Sequence, residues 1–269
     1  MLALLAQLES VVRNPRANAE RAAEALAAHP EVDIAVFPEL FLCAYHLGSL
    51  GETARTSDCE ELRAVADAAA RVATSVVVGF AESISDGGFA NSVACIDRDG
   101  SLAGVYRKTQ LFGAERDVFQ PGAELRIVRL AGVAVAPLIC FDAEFPEPVR
   151  ALAAGGAELL VTASANMEPF ASEHEVATRA RALENRRPHL YANAVGRIGA
   201  LSFVGRSRSV GADGEVRGEA PAYEESLLVV PVGNRGRTTT ASTTFGTCRS
   251  RSRSSAPDGS RCLAGRVAP

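Results

Sequence analysis

The chain has 269 residues, is 47% hydrophobic and carries a net charge of −4. That length suits one large domain with a sizeable core, and the composition is that of a globular chain. The mild acidity argues against a dedicated nucleic-acid binder, and no run approaches the roughly 18 uncharged apolar residues of a membrane span.

Residues 1–8 are apolar and read as a buried strand. They lack the basic start of a secretory signal, and Glu9 and Arg13 end the run, so a cytoplasmic location is expected. Residues 15–28 place Ala19, Ala22, Ala23 and Leu26 at helical spacing before His29-Pro30. Residues 32–37 form an apolar strand that runs straight into Pro38-Glu39. A second helix is expected over 57–73, capped by Ser57 or Asp58. Residues 75–81 are a valine-rich strand. Residues 91–96 and 101–106 flank Asp97-Arg98-Asp99-Gly100, a hairpin turn, and 125–130 and 133–139 flank Ala131-Gly132 likewise. The last of these strands delivers Cys140.

Residues 147–154 are helical and stop at Gly155-Gly156. Residues 158–163 form a strand, and 172–187 a helix opened by Ser172 and Glu175 as a capping-box pair. Short strands are expected over 189–194, 200–204, 208–210 and 226–232. Hairpins sit among crossovers, so residues 1–233 should fold as one α/β domain with two mixed sheets and helices outside them. From residue 234 the text turns Arg-, Ser- and Thr-rich, with seven arginines against one acid, Asp258. This 234–269 tail suits a solvated extension or a reading-frame error better than a partner-binding arm, because it offers nothing to a hydrophobic core.

The six cysteines have no CxxC spacing, and His29, His46, His174 and His189 make no HExxH pattern. Neither a disulfide framework nor a metal or cofactor site is expected. Lys108 is the single lysine among 28 basic residues. In a chain that uses arginine wherever a cation will do, a retained lysine suggests a task for a compact ammonium, or chance survival on a surface.

Three segments could carry chemistry, each directly after an apolar strand. Glu39, poorly solvated there, could be a general base with a raised pKa. Lys108 could stabilise an oxyanion. Cys140, at a strand-to-helix junction, could be a nucleophile. Each alone is more simply a loop acid, a strand-end charge and a buried thiol; Cys43, Cys59 and Cys95 are assigned to that last class.

Together, Phe37-Pro38-Glu39-Leu40, Tyr106-Arg107-Lys108-Thr109 and Ile139-Cys140-Phe141-Asp142 with Phe145-Pro146-Glu147 resemble the nitrilase superfamily of carbon–nitrogen hydrolases. The likeness continues through Gly156-Ala157-Glu158, Arg181-Ala182-Leu183-Glu184-Asn185 and Gly205-Arg206-Ser207, covering roughly residues 1–233 in order. It implies an α-β-β-α sandwich that pairs as a homodimer. It implies that Cys140 attacks the substrate carbon, that Glu39 takes its proton, and that Lys108 with the Phe141 N–H holds the oxyanion. Glu115 matches a substrate-positioning glutamate of many members. The segments around Phe141 and Met167 look most like the aliphatic and amino-amide amidase branch. The implied substrate is a small amide, with Glu144 and Met167 beside it; an N-carbamoyl hydrolase, a nitrilase and a silent binding protein are the alternatives. Gln110 stands where histidine is common in this branch, and residues 234–269 do not resemble the family's subunit-crossing segment.

Overall fold

The computed structural model describes residues 1–85 and 87–233, so the 234–269 tail lies outside the described residues. The chain runs β1 (Leu2–Gln7), α1 (Pro15–Ala28), β2 (Ile34–Val36), α2 (Leu50–Thr53), α3 (Glu60–Val72), β3 (Ser75–Ser83), β4 (Phe89–Ile96), β5 (Leu102–Arg107), β6 (Val128–Leu130), β7 (Val133–Ile139), α4 (Pro146–Ala154), β8 (Leu159–Ser164), α5 (Ala171–Asn185), β9 (His189–Asn193), β10 (Val195–Ile198), β11 (Leu201–Val204), β12 (Arg208–Val210), β13 (Val216–Glu219) and β14 (Ser226–Pro231). One six-stranded sheet has the order β14-β1-β2-β3-β4-β5, the other β13-β12-β9-β8-β7-β6, and β10 and β11 form a separate hairpin. Both sheets are mixed: β1, β2 and β3 run parallel, as do β7, β8 and β9, with antiparallel strands outside them.

Side-chain alternation explains the layers. On β1, Ala3 and Leu5 enter the layer between the sheets, while Leu4 and Ala6 pack under α1 and α3. On β7, Val135 and Ile139 point to the same inter-sheet layer, while Ala136 and Leu138 meet Val149 and Leu152 of α4. Both faces of β1 and β7 are therefore apolar, as parallel strands under helices require, whereas the outer faces of β8 and β9 also bury the hydrogen-bonded Thr162, Ser164, His189 and Tyr191. Each buried valine, leucine or isoleucine here is worth about 1.5–3 kcal/mol, so these three apolar layers hold the α-β-β-α stack together.

Several local expectations need correction. α3 starts after Cys59, whose sulfur accepts from the Leu62 N–H, while Asp58 is engaged by Thr56 and the Arg63 side chain donates to the Asp58 carbonyl. Ser172 lies inside α5, which is entered from Phe170 with no side-chain cap, so the Ser172–Glu175 capping box does not form. β10 and β13 were not expected as strands; their Val-Gly-Arg and Val-Arg-Gly text has too little apolar alternation to announce them. Among the described residues no helix is long and apolar enough to cross a membrane.

Candidate active site

The site forms where β2, β5, β7 and β8 end. Parallel strands deliver their following loops to one edge of a sheet, which concentrates functional groups there. After β2 the chain passes over β3: the Phe37 N–H donates to Val77 O at 2.8 Å and the Leu42 N–H to Gly79 O at 3.0 Å. The crossing is so close that a Cβ on Gly79 would lie 2.3 Å from the Pro38 carbonyl oxygen and 2.4 Å from the Leu40 nitrogen. Only glycine admits it. The Glu39 N–H reaches Ser164 O of the second sheet at 3.3 Å, fixing Glu39 between the two sheets.

Lys108 follows β5 and is held by backbone bonds from its N–H to Asn91 O and from the Gly122 N–H to its own carbonyl, both 2.8 Å. Its Nζ donates to Glu39 Oε1 at 2.6 Å and to Glu115 Oε1 at 2.8 Å, with all three side chains fully buried. Asn91 Nδ2 donates to Glu39 Oε1 at 2.7 Å and lies 3.3 Å from Glu115 Oε1. Tyr45 OH donates to Glu115 Oε1 at 2.7 Å, the Phe112 N–H to Glu115 Oε2 at 2.8 Å, and the Ala165 N–H to Glu39 Oε2 at 3.0 Å. The two carboxylates are thus satisfied by an ammonium, an amide, a phenol and two backbone N–H groups, which is what burying them requires.

Cys140 is the first residue of a 3₁₀ turn, Cys140–Glu144, between β7 and α4. Its φ of +45° lies in the left-handed region that a β-carbon disfavours, and such strain clusters at functional sites. Asp142 clamps this turn to the Lys108 loop. Its Oδ2 accepts from Tyr106 OH at 2.8 Å and the Ile139 N–H at 3.0 Å; its Oδ1 accepts from the Gln110 N–H at 2.8 Å and from Thr109 Oγ1 and N at 2.9 and 3.2 Å. Gln110 thus contributes its backbone to the clamp.

Burial raises the Glu39 carboxyl to about 7; Lys108 pulls it down and Glu115 pushes it up. Burial also works to lower the Lys108 ammonium, but Glu39, Cys140 and Glu115 outweigh it and the pKa ends raised. The Cys140 thiol is raised by burial first and by Glu39 second, against the opposing pull of Lys108, the Ser164 hydroxyl and the Ala165 N–H. The arrangement is a neutral thiol beside a carboxyl poised near neutrality and an ammonium that stays charged. That combination can pass one proton from sulfur to carboxylate and receive a developing negative oxygen.

Cys140 opens onto a pocket of about 310 Å³ of empty space, its solvent-facing mouth included. Phe141, Glu144 and Met167 line it, as do Tyr45, Asn166 and His174. Phe112 packs edge-on against Phe141 and Phe170, with ring centroids 5.3 and 5.4 Å apart. Glu39, Lys108 and Cys140 are brought together. Glu115 joins them through Lys108 and is not among the pocket walls; its carboxylate is occupied by Lys108, Tyr45, Asn91 and Phe112. Sequence reasoning missed Asn91, Tyr45 and His174. Asn91 did leave a trace, as a polar residue inside a largely apolar strand that must find a buried partner; Tyr45 and His174 left none.

A family model for carbon–nitrogen hydrolases matches residues 2–240. An (R)-stereoselective amidase from a Pseudomonas species is 38% identical over 204 residues, spanning 74% of this chain and 73% of that protein. A nitrilase from Pyrococcus abyssi is 29% identical over 233 residues, spanning 84% and 87%. Among solved structures, an amidase from Nesterenkonia superposes with a TM-score of 0.79 at 29% identity, covering 86% of this chain and 89% of that one. In one structure of that amidase the acetamide moiety of fluoroacetamide is covalently added at the active-site cysteine. The match over most of its length and the shared sandwich place this chain in the carbon–nitrogen hydrolase family, in the amidase-like branch of the nitrilase superfamily, as an enzyme that hydrolyses carbon–nitrogen bonds.

Proposed function

We propose that this enzyme cleaves a small aliphatic or amino-acid amide to a carboxylic acid and ammonia through a thioester on Cys140. The observation that carries the reading is Lys108 Nζ bridging Glu39 and Glu115 in full burial beside that cysteine. In this reading Glu39 takes the thiol proton as sulfur bonds to the amide carbon. The carbonyl oxygen becomes an oxyanion facing Lys108 and the Phe141 N–H. Collapse breaks the C–N bond, Glu39 returns the proton to the leaving nitrogen, and ammonia departs. Water then adds to the thioester with Glu39 again as base, and the second collapse expels the thiolate, which recovers its proton. Glu115 serves as a positioning residue that holds Lys108.

An N-carbamoyl amino acid would bring a carboxylate into the pocket, and none of the described residues lining it is lysine or arginine. That favours the amide reading. The pocket is narrow and walled by Phe112, Phe141, Met167 and Phe170, which suits a small substrate. Ammonia release from a panel of small amides, ureido acids and nitriles tests it: Cys140→Ala should lose all turnover, and full turnover by that variant on every amide would exclude the mechanism.

A further inference from the structure

One charged group on the pocket wall is unused by this mechanism. Glu144 lies four residues beyond the nucleophile, with a side chain 28% exposed. Among the described residues its carboxylate has a single partner: Oε1 lies 3.1 Å from His174 Nε2. Arg181 is near, but it donates to the backbone carbonyls of Ala143 and Glu144 at 3.0 and 2.8 Å and to the Glu184 carboxylate at 2.9 Å. It holds the segment in place and leaves the Glu144 carboxylate alone.

His174 does not cancel the charge. Its side chain is 3% exposed, and burial lowers its pKa although Glu144 pulls the other way. A neutral ring can still serve Glu144. With the proton on Nε2, His174 donates to the carboxylate, and Nδ1 accepts from Tyr191 OH at 2.9 Å, which lies 3.0 Å from Ser164 Oγ. The chain from Ser164 to Glu144 therefore runs through neutral groups and fixes the carboxylate's position. What faces the pocket is a net negative charge beside the rings of Phe112, Phe141 and Phe170, whose faces attract cations. Of the other polar walls, Tyr45 donates its OH to Glu115, and Asn166 is spent on its own loop: Nδ2 donates to Phe170 O and Oδ1 accepts from the Met167 N–H.

We infer that Glu144 and the surrounding aromatic rings form a subsite for an ammonium group, so that the preferred substrates are amides bearing a protonated amine close to the scissile carbonyl. This rests on the amidase reading above and narrows its substrate class. A charge-assisted contact of this kind corresponds to roughly ten- to a hundredfold in binding.

The test compares alaninamide with isobutyramide, which replaces the ammonium by a methyl group at nearly constant shape, at a pH where the amine is protonated. Wild type should favour alaninamide in kcat/KM by at least about tenfold. Glu144→Gln, which can still accept from His174, should lose that preference through KM on alaninamide, by a much larger factor than any change on isobutyramide. In wild type alone, isopropylammonium should inhibit isobutyramide hydrolysis more strongly than isopropanol does, a readout independent of how the variant folds. Turnover of both amides without preference, or an equal loss on both in Glu144→Gln with no selective inhibition by the amine, overturns the subsite alone. Turnover of neither overturns the amidase reading and takes the subsite with it.

Discussion

The position of Glu39 depends on a residue that has no side chain, and Gly79→Ala exposes that dependence. The added Cβ would stand 2.3 Å from Pro38 O, 2.4 Å from Leu40 N and 2.8 Å from the Glu39 carbonyl carbon. All three are backbone atoms, so no rotamer change relieves the overlap. Ordinary contact needs roughly another ångström, which the Pro38–Leu40 crossing must supply by moving off β3. Overpacking of this kind costs about 1–3 kcal/mol. The larger effect falls on chemistry. Glu39 would move relative to Lys108, now 2.6 Å away, and relative to Cys140. A misplacement of about 1 Å costs on the order of a hundredfold in rate. Urea denaturation and kcat on a turned-over amide measure both effects. Gly51→Ala, at an exposed glycine of α2 with nothing within 4 Å of the added carbon, is the control and should lose no stability, gaining up to about 1 kcal/mol. A Gly79→Ala enzyme with wild-type kcat would refute the claim that this crossing sets the geometry of Glu39.

Asp142→Asn should cost about 2–4 kcal/mol and lower kcat. All five groups around Asp142 are donors, so an amide nitrogen must leave at least one buried N–H without an acceptor. Unchanged stability in a denaturant melt would contradict the clamp. Lys108→Arg should reduce kcat by about 10²–10³, because a planar fork cannot replace a fully buried ammonium that serves two carboxylates within 2.8 Å. Retention of activity would deny Lys108 its place at the oxyanion.

Much of this fold was legible because its signals are local. β1, β3 and β7 are apolar on both faces, and an apolar run of that length between turn residues reads as a buried strand. The Asp97–Gly100 turn announced the β4–β5 hairpin. Helix starts were less legible: Cys59 caps α3 with sulfur and α5 has no side-chain cap, so the usual hydroxyl and carboxylate signals pointed elsewhere. The site divides in the same way. Glu39, Lys108 and Cys140 each follow a strand and could be picked out by position. Asn91 and Tyr45 reach the centre from 52 and 70 residues away in sequence from their acid partners, a separation that only the packed sheets close. No pattern in a single chain encodes such a contact.

The charge inventory at the centre makes one further prediction. Two carboxylates share one ammonium in full burial, and an uncompensated buried charge is costly. The cluster relieves that cost by holding Glu39 near 7, with Glu115 among the groups that push it up. A base must be deprotonated to act, so kcat/KM should fall as pH drops through about 7. The same shift bears on folding. The folded state binds the Glu39 proton more tightly than the unfolded chain does, so this group's contribution to stability is largest at low pH and declines as pH rises from about 4.5 to about 7. Glu115→Gln removes a neighbouring negative charge while retaining an oxygen for Lys108 and Tyr45. It should move the acid limb of the pH profile to lower pH, even if kcat falls through looser placement of Lys108. Scatter in kcat cannot mimic that displacement, because a positioning defect scales the profile without sliding it along the pH axis. A limb that stays in place, or moves to higher pH, would mean that Glu115 does not set the acidity of Glu39.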